Sequence, residues 1–196
     1  TFRPSIAVIL NITPDHLDRH KTLEEYADLK GRISAFQNDG DILVLNKDDG
    51  KVMKQGKLSK AKKVFFSLVD KVDEGACLED GSIFTCFDGR KQRVLSVGGL
   101  NTAMQFQVEN LLSAMVVATI VNTAKADIVN IAMKFEGLDH RVEWVRKVRG
   151  VDFINDSKGT NMGALQKSLK VFSRPIILIA GGKDKGGDFR VLKNIF

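Results

Sequence analysis

The sequence predicts an α/β fold, and three observations carry this prediction. Residues 5–10 form a continuous apolar run, which is typical of a strand that is buried on both faces of a parallel sheet. Residues 175–180 form a second run of the same kind. Between and around these runs, the order of strand, polar loop and helix repeats along the chain, as it does in α/β proteins.

The remaining elements follow from periodicity and from turn residues. Thr22 opens a helix, because Glu25 stands three residues later and completes a capping box. Asp88-Gly89 joins two strand-like runs and predicts a hairpin. Strands are predicted at 42–45, 64–68, 82–87, 93–97, 142–148 and 151–154, and helices at 108–121, at 126–135 and after 161.

The composition is that of a soluble globular protein. Of the 196 residues, 43% are hydrophobic and 28% are charged, which argues against a disordered chain and allows one large domain or two small ones. No apolar run approaches the roughly 20 residues of a membrane-spanning helix. Cys77 and Cys86 form no CxxC motif, which argues against a disulfide framework or a zinc site. We therefore expect a soluble protein from a reducing compartment, without a membrane partner.

A net charge of +6 raises the question of nucleic-acid binding. The densest basic stretch, residues 51–63, contains six lysines but no aromatic side chain that could stack on a base. This pattern favours a solvated face or loop, and we expect no nucleic-acid partner. Mild basicity suits an anionic small substrate equally well.

Three polar loops follow apolar strands, at the sheet edge where ligands of open α/β folds bind. They comprise residues 11–21, 155–161 and 181–188. His16 lies in the first loop, where carboxylates and imidazoles suit a divalent metal ion, although an ordinary surface turn explains the same residues. The other two loops combine amines, hydroxyls and glycines, and they favour an anion site. Neither is a P-loop, because the motif GxxxxGK(S/T) does not occur in the sequence.

Lys30 stands on the apolar face of the helix that Thr22 opens. The predicted stripe comprises Leu23, Tyr26, Ile33 and Phe36. A lysine in this position must extend its amine to water, find a partner or lose its positive charge. Extension to water is the usual outcome, and carbamylation by CO2, which creates a metal-binding anion, is the chemical alternative.

Five motifs stand in a defined order along the chain. They are Asn11-Ile-Thr-Pro-Asp-His-Leu-Asp-Arg-His20, Tyr26-Ala-Asp-Leu-Lys30, Leu138-Asp-His-Arg-Val-Glu143, Asn155-Asp-Ser-Lys-Gly-Thr-Asn161 and Gly181-Gly-Lys-Asp-Lys-Gly-Gly-Asp-Phe189. In this order they resemble the Mur ligase family, the ATP-dependent amide ligases of bacterial peptidoglycan-precursor synthesis. The resemblance runs from residue 1 to residue 196, and the last two motifs are similar to those of the branch that adds D-glutamate.

The resemblance implies a domain organisation. Residues 1–138 would be the C-terminal part of a central ATPase-type domain with a mixed sheet, and residues 139–196 would begin a Rossmann-like C-terminal domain. The chain would then be a fragment of a longer enzyme, without the UDP-substrate domain and the P-loop, and inactive by itself. The intact enzyme would be a cytoplasmic monomer.

The resemblance also implies the chemistry of the intact enzyme, which requires ATP and Mg2+. The alanyl carboxylate of UDP-N-acetylmuramoyl-L-alanine is phosphorylated to an acyl phosphate, which the amine of D-glutamate then attacks. By motif position, the resemblance implies that His16 and carbamylated Lys30 bind the metal ion, and that Asn110, His140 and Arg141 bind ATP. Asp156 would bind the ribose, and Lys158 would contact phosphate or the reacting carboxylate. Thr160 and Lys185 would bind D-glutamate.

One stretch departs from the family pattern. The family carries His-Asn-x-x-Asn before the helix near residue 110, whereas this chain has Phe106-Gln-Val-Glu-Asn110. Asn110 is retained, and Gln107 stands where the first Asn is expected. Two other functions stay open: another ADP-forming ligase of the folylpolyglutamate synthetase type, against which the loops at 155–161 and 181–189 argue, and a non-catalytic nucleotide-binding module.

Overall fold

The computed structural model describes residues 2–14, 20–170, 172, 175–182 and 189–193. The chain divides into two compact units. The first unit comprises Thr1–Ile12 and Glu24–Phe135, and the second comprises Thr13–Leu23 and Glu136–Phe196. Within the described ranges, every helix is too short or too polar to cross a membrane.

The first unit is built on one mixed sheet, which confirms the predicted α/β class. Its six strands lie side by side in chain order. They are β1 (Ile6–Ile9), β2 (Ile42–Asn46), β3 (Lys62–Ser67), β4 (Gly75–Glu79), β5 (Ser82–Phe87) and β6 (Arg90–Ser96). β1 to β4 run parallel, and β5 and β6 extend the sheet in antiparallel pairs. The parallel run predicted from residues 5–10 is therefore confirmed, because β1 pairs with β2 in the register Ile9↔Leu45.

Six α-helices occur among the described residues. They are α1 (Leu23–Gly31), α2 (Gly50–Gly56), α3 (Thr102–Gln105), α4 (Val108–Ile120), α5 (Lys125–Lys134) and α6 (Met162–Lys170). Three 3-10 turns, Arg32–Ser34, Val97–Gly99 and Phe189–Leu192, complete the helical structure. α4 packs against β2, β3, β4 and β5. Its Leu112, Met115 and Val116 are almost fully buried in the same core as Val64 and Phe66.

An ion pair holds the start of β1 beside the start of β2. Arg3 Nε lies 2.8 Å from Asp41 Oδ2, and Arg3 Nη2 lies 3.2 Å from Oδ1, so that the guanidinium binds both carboxylate oxygens. The amide of Asn38 also donates to Asp41 at 2.8 Å. The hydrogen bond from Arg3 is the main reason why the pKa of Asp41 lies below its usual range.

The β5–β6 hairpin follows from its turn residues. Asp88 and Gly89 have φ angles of 50° and 69°. Two consecutive positive values are typical of the two-residue turn that matches the twist of paired strands. The predicted hairpin is confirmed, although β6 begins at Arg90 rather than at residue 93.

The helices α2 and α3 and the strand β4 of the first unit were not predicted. α2 lies inside the lysine-rich stretch, where Asp49 caps its first turn and Val52 is completely buried. Most of the lysines of the stretch are exposed, as expected. The helix itself was missed because seven residues with one buried apolar side chain give little periodic signal. β4 was missed because Gly75, Ala76 and Cys77 do not resemble a strand, although all three are buried.

The second unit contains a hairpin and one helix among its described residues. β7 (Glu143–Val148) pairs with β8 (Val151–Asn155) in antiparallel fashion, as the sequence predicts. The apolar run at 175–180 was predicted as a buried parallel strand, and this prediction is wrong. These residues pair with no described strand, and Ile177 and Ile179 are 90% and 94% exposed. Apolar content indicates a tendency to be buried, but a strand also requires a neighbour for its backbone hydrogen bonds.

The same observation corrects the expected grouping of the loops. The loop at 155–161 follows a strand of an antiparallel hairpin, and residues 181–182 follow a segment that is not a strand. Among the three candidate loops, only the one after β1 follows a parallel strand in the described residues. Lys185, in the third loop, lies outside the described residues.

Gly75 supports the pairing of β3 with β4, and its replacement provides a test. Its φ is +134°, and a Cβ atom there would lie 1.7 Å from the carbonyl oxygen of Phe65. We expect Gly75→Ala to lower the free energy of unfolding by about 3 kcal/mol or more, because the backbone of β3 must move. The measurement is urea unfolding followed by circular dichroism.

Gly81→Ala is the matched control for this substitution. Gly81 also has a positive φ, +69°, but no atom lies within 4 Å of the added Cβ. Only the backbone conformation opposes the change, which costs roughly 1–2 kcal/mol. Equal losses in the two variants would contradict the close approach of Gly75 to Phe65.

Candidate functional site

The backbone that follows β1 is held at three consecutive residues. Each of them shares a hydrogen bond with a side chain from another element of the first unit. Asn46 Nδ2 donates to the Leu10 oxygen at 2.9 Å, Lys30 Nζ donates to the Asn11 oxygen at 3.0 Å, and the Ile12 amide donates to Asp49 Oδ2 at 2.8 Å. The first candidate loop therefore starts from a fixed backbone.

Lys30 finds a partner within the protein. Its amine donates to Asn11 and lies 4.9 Å from the centre of the Tyr26 ring, within the range of a cation–π contact. The sequence allowed the amine to extend to water, to find a partner or to lose its charge, and in the structure it has found a partner. Carbamylation stays a prediction.

The apolar stripe proposed around Lys30 is wrong at its C-terminal end. Ile33 and Phe36 are 38% and 56% exposed, whereas Ala27 and Ser34 are buried. The helix α1 ends at Gly31 and a 3-10 turn follows, so the helical phase changes before Ile33 is reached. Lys30 nevertheless lies on the packed side, because it is three residues from Ala27 and four from Ser34.

The first turn of α4 contributes a second set of polar groups to the first unit. Asn110 is exposed, and its backbone oxygen accepts a hydrogen bond from Ser113 Oγ at 2.7 Å. Gln107 precedes the helix, and its buried Nε2 has no hydrogen-bond partner among the described residues. Glu109 Oε1 accepts from Asn46 Nδ2 at 2.9 Å, which joins this turn to the end of β2. His16 lies outside the described residues, so its position relative to these groups stays a prediction.

In the second unit, the loop after β8 is bonded to the segment before β7. His140 Nδ1 lies 2.8 Å from Asn155 Nδ2, and the His140 amide donates to Glu143 Oε2 at 2.8 Å. The Lys158 amide donates to the His140 oxygen at 3.0 Å. The structure thus brings together His140 and Lys158, which the sequence places 18 positions apart.

Asp156 uses both carboxylate oxygens within the protein. Oδ1 accepts from the Val142 amide at 3.1 Å, and Oδ2 accepts from Ser168 Oγ at 2.5 Å. The backbone of Gly159 lies close to this carboxylate, since a Cβ atom at that position would lie 2.8 Å from Asp156 Oδ2. Asp156 therefore ties the loop to α6 and to the residue that follows Arg141.

Arg141 is placed by a strained backbone. Its neighbours His140 and Val142 both have left-handed φ angles, 66° and 50°. For a β-branched residue such as Val142 this conformation is a genuine outlier, and it persists because the surrounding contacts, here the bond to Asp156, compensate for it. Strain of this kind concentrates at functional sites, and the role of Arg141 stays a prediction.

The cationic groups of the second unit are open to a ligand. The side chains of Arg141, Lys158 and Thr160 are all exposed. Asn161 caps α6, because its Oδ1 accepts from the Ala164 amide at 2.8 Å. Two exposed cations on bonded segments of one unit can bind an anion, and the hydroxyl of Thr160 adds a hydrogen-bond donor.

Comparison with known proteins identifies the family. Residues 1–118 match the family described as Mur ligase middle domain. The chain belongs to the Mur ligase family. This confirms the resemblance carried by the five motifs.

Curated relatives with the name UDP-N-acetylmuramoylalanine--D-glutamate ligase match nearly the whole chain. The relative from Alkaliphilus oremlandii is 43% identical over 198 residues, which cover 100% of this chain and 43% of the relative. The relative from Pelotomaculum thermopropionicum is 42% identical over 192 residues, which cover 97% of this chain and 42% of the relative. The chain thus spans about two fifths of the length of the curated relatives it matches.

Solved structures of other Mur ligases share the fold. MurF from Acinetobacter baumannii matches with a TM-score of 0.66 and 18% identity, covering 86% of this chain and 37% of that protein. MurF ligase from Thermotoga maritima, solved in complex with ADP, matches with a TM-score of 0.60 and 20% identity, covering 86% of this chain and 39% of that protein. At this level of identity the likeness concerns the fold alone.

Three residues that hold the candidate site of the first unit were not candidates in the sequence. Asn46 donates to Glu109, and Asp49 accepts from the amide of Ile12. For Asn46 and Asp49 the signal was present, because the polar run Asn46-Lys-Asp-Asp49 directly follows an apolar strand, as the other candidate loops do.

The strain at Val142 can be tested by removing its side chain. We expect Val142→Gly to keep or raise the free energy of unfolding, because glycine adopts a left-handed conformation without the roughly 1–2 kcal/mol that other residues require. Val148→Gly, in the β7 strand, is the control and is expected to lose about 1 kcal/mol. Urea unfolding measures both. A loss at Val142 as large as that at Val148 would contradict the left-handed backbone.

Proposed function

We propose that this chain is part of an ATP-dependent ligase that joins D-glutamate to UDP-N-acetylmuramoyl-L-alanine in peptidoglycan-precursor synthesis. The observation that carries the proposal is the identity of about 40% to D-glutamate ligases over 96–100% of the chain. The match includes both units, so it extends beyond the middle domain common to all Mur ligases. Such an enzyme works in the cytoplasm, where its nucleotide substrates are found.

The proposal assigns the two halves of the chain to different domains. Residues 1–138 belong to the central, ATP-binding domain, and residues 139–196 begin the Rossmann-like C-terminal domain. The family match over residues 1–118 supports the first assignment. The main segment of the second unit starts at Glu136, three residues before the proposed start at residue 139, which supports the second assignment.

The exposed cations of the second unit suit the proposed chemistry. ATP transfers its terminal phosphoryl group to the alanyl carboxylate, and the amine of D-glutamate displaces phosphate from the resulting acyl phosphate. Negative charge spreads over the transferring oxygens, and fixed cations stabilise it. We assign this role to Arg141 and Lys158. The backbone segments that carry them are joined by a hydrogen bond from the Lys158 amide to the His140 oxygen, so these segments keep their relative position before the substrate binds.

The remaining contacts are assigned by motif position. Asn110, His140 and Asp156 bind the nucleotide, and Thr160 and Lys185 bind D-glutamate. The buried and unpartnered Nε2 of Gln107 supports a nucleotide at the start of α4, because a donor without a protein acceptor can serve a ligand oxygen. Asp156 already accepts two protein hydrogen bonds, so it would contact a ribose through its remaining lone pairs.

The described residues by themselves do not fit Mg2+. Among them, no three His, Cys, Asp or Glu side chains lie close enough to share an ion. Lys30 as an ammonium is only a donor and repels a cation, and only its carbamate would offer the oxygen ligands that Mg2+ prefers. Binding of Mg2+ therefore depends on carbamylation of Lys30, on His16 and on the phosphate oxygens of ATP.

The proposed function is tested with the full-length gene product. We expect ADP release that requires both D-glutamate and UDP-N-acetylmuramoyl-L-alanine, at a rate of about 1 per second or more. The 196-residue chain contains no GxxxxGK(S/T) motif, and we expect no turnover from it. The control replaces D-glutamate with L-glutamate. ADP release that does not depend on D-glutamate would overturn the proposal.

Lys30→Ala separates the chemical role of Lys30 from its structural one. In the full-length gene product we expect kcat to fall about a hundredfold or more, since misplacing a catalytic group by 1 Å can already cost about that factor. A short carboxylic acid in solution is expected to restore part of the activity by replacing the carbamate.

Lys54→Ala is the control for Lys30→Ala, because Lys54 is an exposed lysine of α2 outside the site. It is expected to behave like the wild type. Wild-type activity in Lys30→Ala would mean that Lys30 serves only to hold Asn11.

A further inference from the structure

Two side chains hold the backbone on either side of the residue that binds Lys30. Asn46 fixes the carbonyl of Leu10, and Asp49 fixes the amide of Ile12. Asn11 lies between them, and its backbone oxygen accepts a hydrogen bond from the amine of Lys30. We propose that Asn46 and Asp49 are positioning residues that set the location of the Lys30 amino group. Their effect on catalysis rests on the proposed function, in which Lys30 takes part in the reaction.

Asn46 is suited to this task because its whole amide group is engaged. The residue is 2% exposed. Its Nδ2 donates to the Leu10 oxygen and to Glu109 Oε1, both at 2.9 Å, and its Oδ1 accepts from the Asp48 amide at 3.0 Å. Both amide protons and the amide oxygen therefore have partners, and the side chain has only one orientation that satisfies them. The end of β1 is tied in this way to the start of α4.

Asp49 divides its two oxygens between two tasks. Oδ1 caps α2, accepting from the Lys51 amide at 2.9 Å and from the Val52 amide at 3.1 Å. Oδ2 accepts from the Ile12 amide at 2.8 Å. Because the two tasks use different oxygens, a substitution that changes only one oxygen can separate them.

The position of the Asn11 carbonyl matters because lysine is flexible. The ammonium of Lys30 stands at the end of a flexible four-carbon chain, which does not by itself define the location of the ammonium. The hydrogen bond to Asn11, together with the Tyr26 ring, selects one position. Fixing residues 10 and 12 limits the movement of the carbonyl between them, and through it the movement of the amine.

Asp49→Asn is the substitution that tests the proposal. Asparagine retains an oxygen that caps a helix as well as aspartate does. The second oxygen becomes an amide nitrogen, which cannot accept from Ile12. We expect the helix cap to be kept and the bond to residue 12 to be lost.

Asp48→Asn is the matched control, since it makes the same chemical change at the adjacent residue. Asp48 accepts from Ser67 Oγ at 2.5 Å and from the Leu68 amide at 2.7 Å, and it makes no described contact with residues 10–12. Loss of one negative charge is common to both variants, and only Asp49→Asn touches the backbone that carries Asn11.

Two measurements on the 196-residue chain report on position without any substrate. In Asp49→Asn, we expect hydrogen exchange of the Ile12 amide to accelerate about tenfold or more, because a charge-assisted bond is lost. We expect acetylation of Lys30 by acetic anhydride, measured against that of Lys54, to accelerate about twofold to tenfold as the amine is released. Asp48→Asn is expected to match the wild type in both measurements.

The third measurement is made in the full-length gene product. We expect Asp49→Asn to lower kcat for ADP release about tenfold to a hundredfold, with the KM values for ATP and D-glutamate changed by less than about threefold. A purely structural role would lower the melting temperature and leave kcat per folded molecule unchanged.

The outcomes distinguish the inference from the function on which it rests. Faster exchange at Ile12 with unchanged acetylation of Lys30 would overturn the inference, and so would an equal fall of kcat in Asp48→Asn. If the wild-type protein released no ADP in response to D-glutamate, the proposed function would fall. The acetylation of Lys30 would still decide whether Asp49 positions that amine.

Discussion

The parallel pairing of β1 with β2 is the constraint on which the site of the first unit depends. Parallel strands bring their carboxyl ends to one edge of a sheet, and the register Ile9↔Leu45 places residue 10 opposite residue 46. Asn46 can therefore bond to Leu10, and Asp49 can reach Ile12. A shift by one residue would turn every side chain of β2 to the other face and break both contacts. The register is itself protected by the burial of Leu43, Val44 and Leu45.

In the second unit, the position of Arg141 depends on a strained backbone instead of a strand register. Arg141 projects from a segment whose neighbouring residues, His140 and Val142, are both left-handed. Such a segment is unfavourable by itself, and hydrogen bonds from the loop after β8 compensate for it. Asp156 takes part in this compensation through Val142, so a carboxylate that family resemblance assigns to a ribose also determines where Arg141 lies. A change at Asp156 therefore acts on two groups at once.

The sequence predicted those elements whose signals are local. β1, the β5–β6 hairpin and α4 each have a run or a turn that leaves few alternatives, and the structure confirms them. Elements defined by distant partners were missed or wrongly predicted. β4 is a strand because β3 and β5 flank it, and residues 175–180 are apolar but have no described strand beside them. The stripe of α1 failed because a 3-10 turn changes the phase after Gly31, which no periodicity indicates in advance.

The candidate site was predicted as a set of residue types, but the tasks of those residues depend on geometry. The net charge of +6 suits an anionic substrate, but the densest group of lysines, residues 51–63, was predicted to be a solvated face or loop. Those lysines lie mostly on an exposed surface around α2, where salt screens a charge in water and weakens its attraction for an anion. Arg141 and Lys158 are fewer, but backbone hydrogen bonds hold the segments that carry them. An exposed cation on an ordered backbone loses less freedom when it binds an anion than a cation whose backbone must also be ordered, because part of the ordering took place when the protein folded. The position of Arg141 and Lys158, rather than the amount of positive charge, is therefore the basis on which the proposed function assigns these two residues to an anionic substrate.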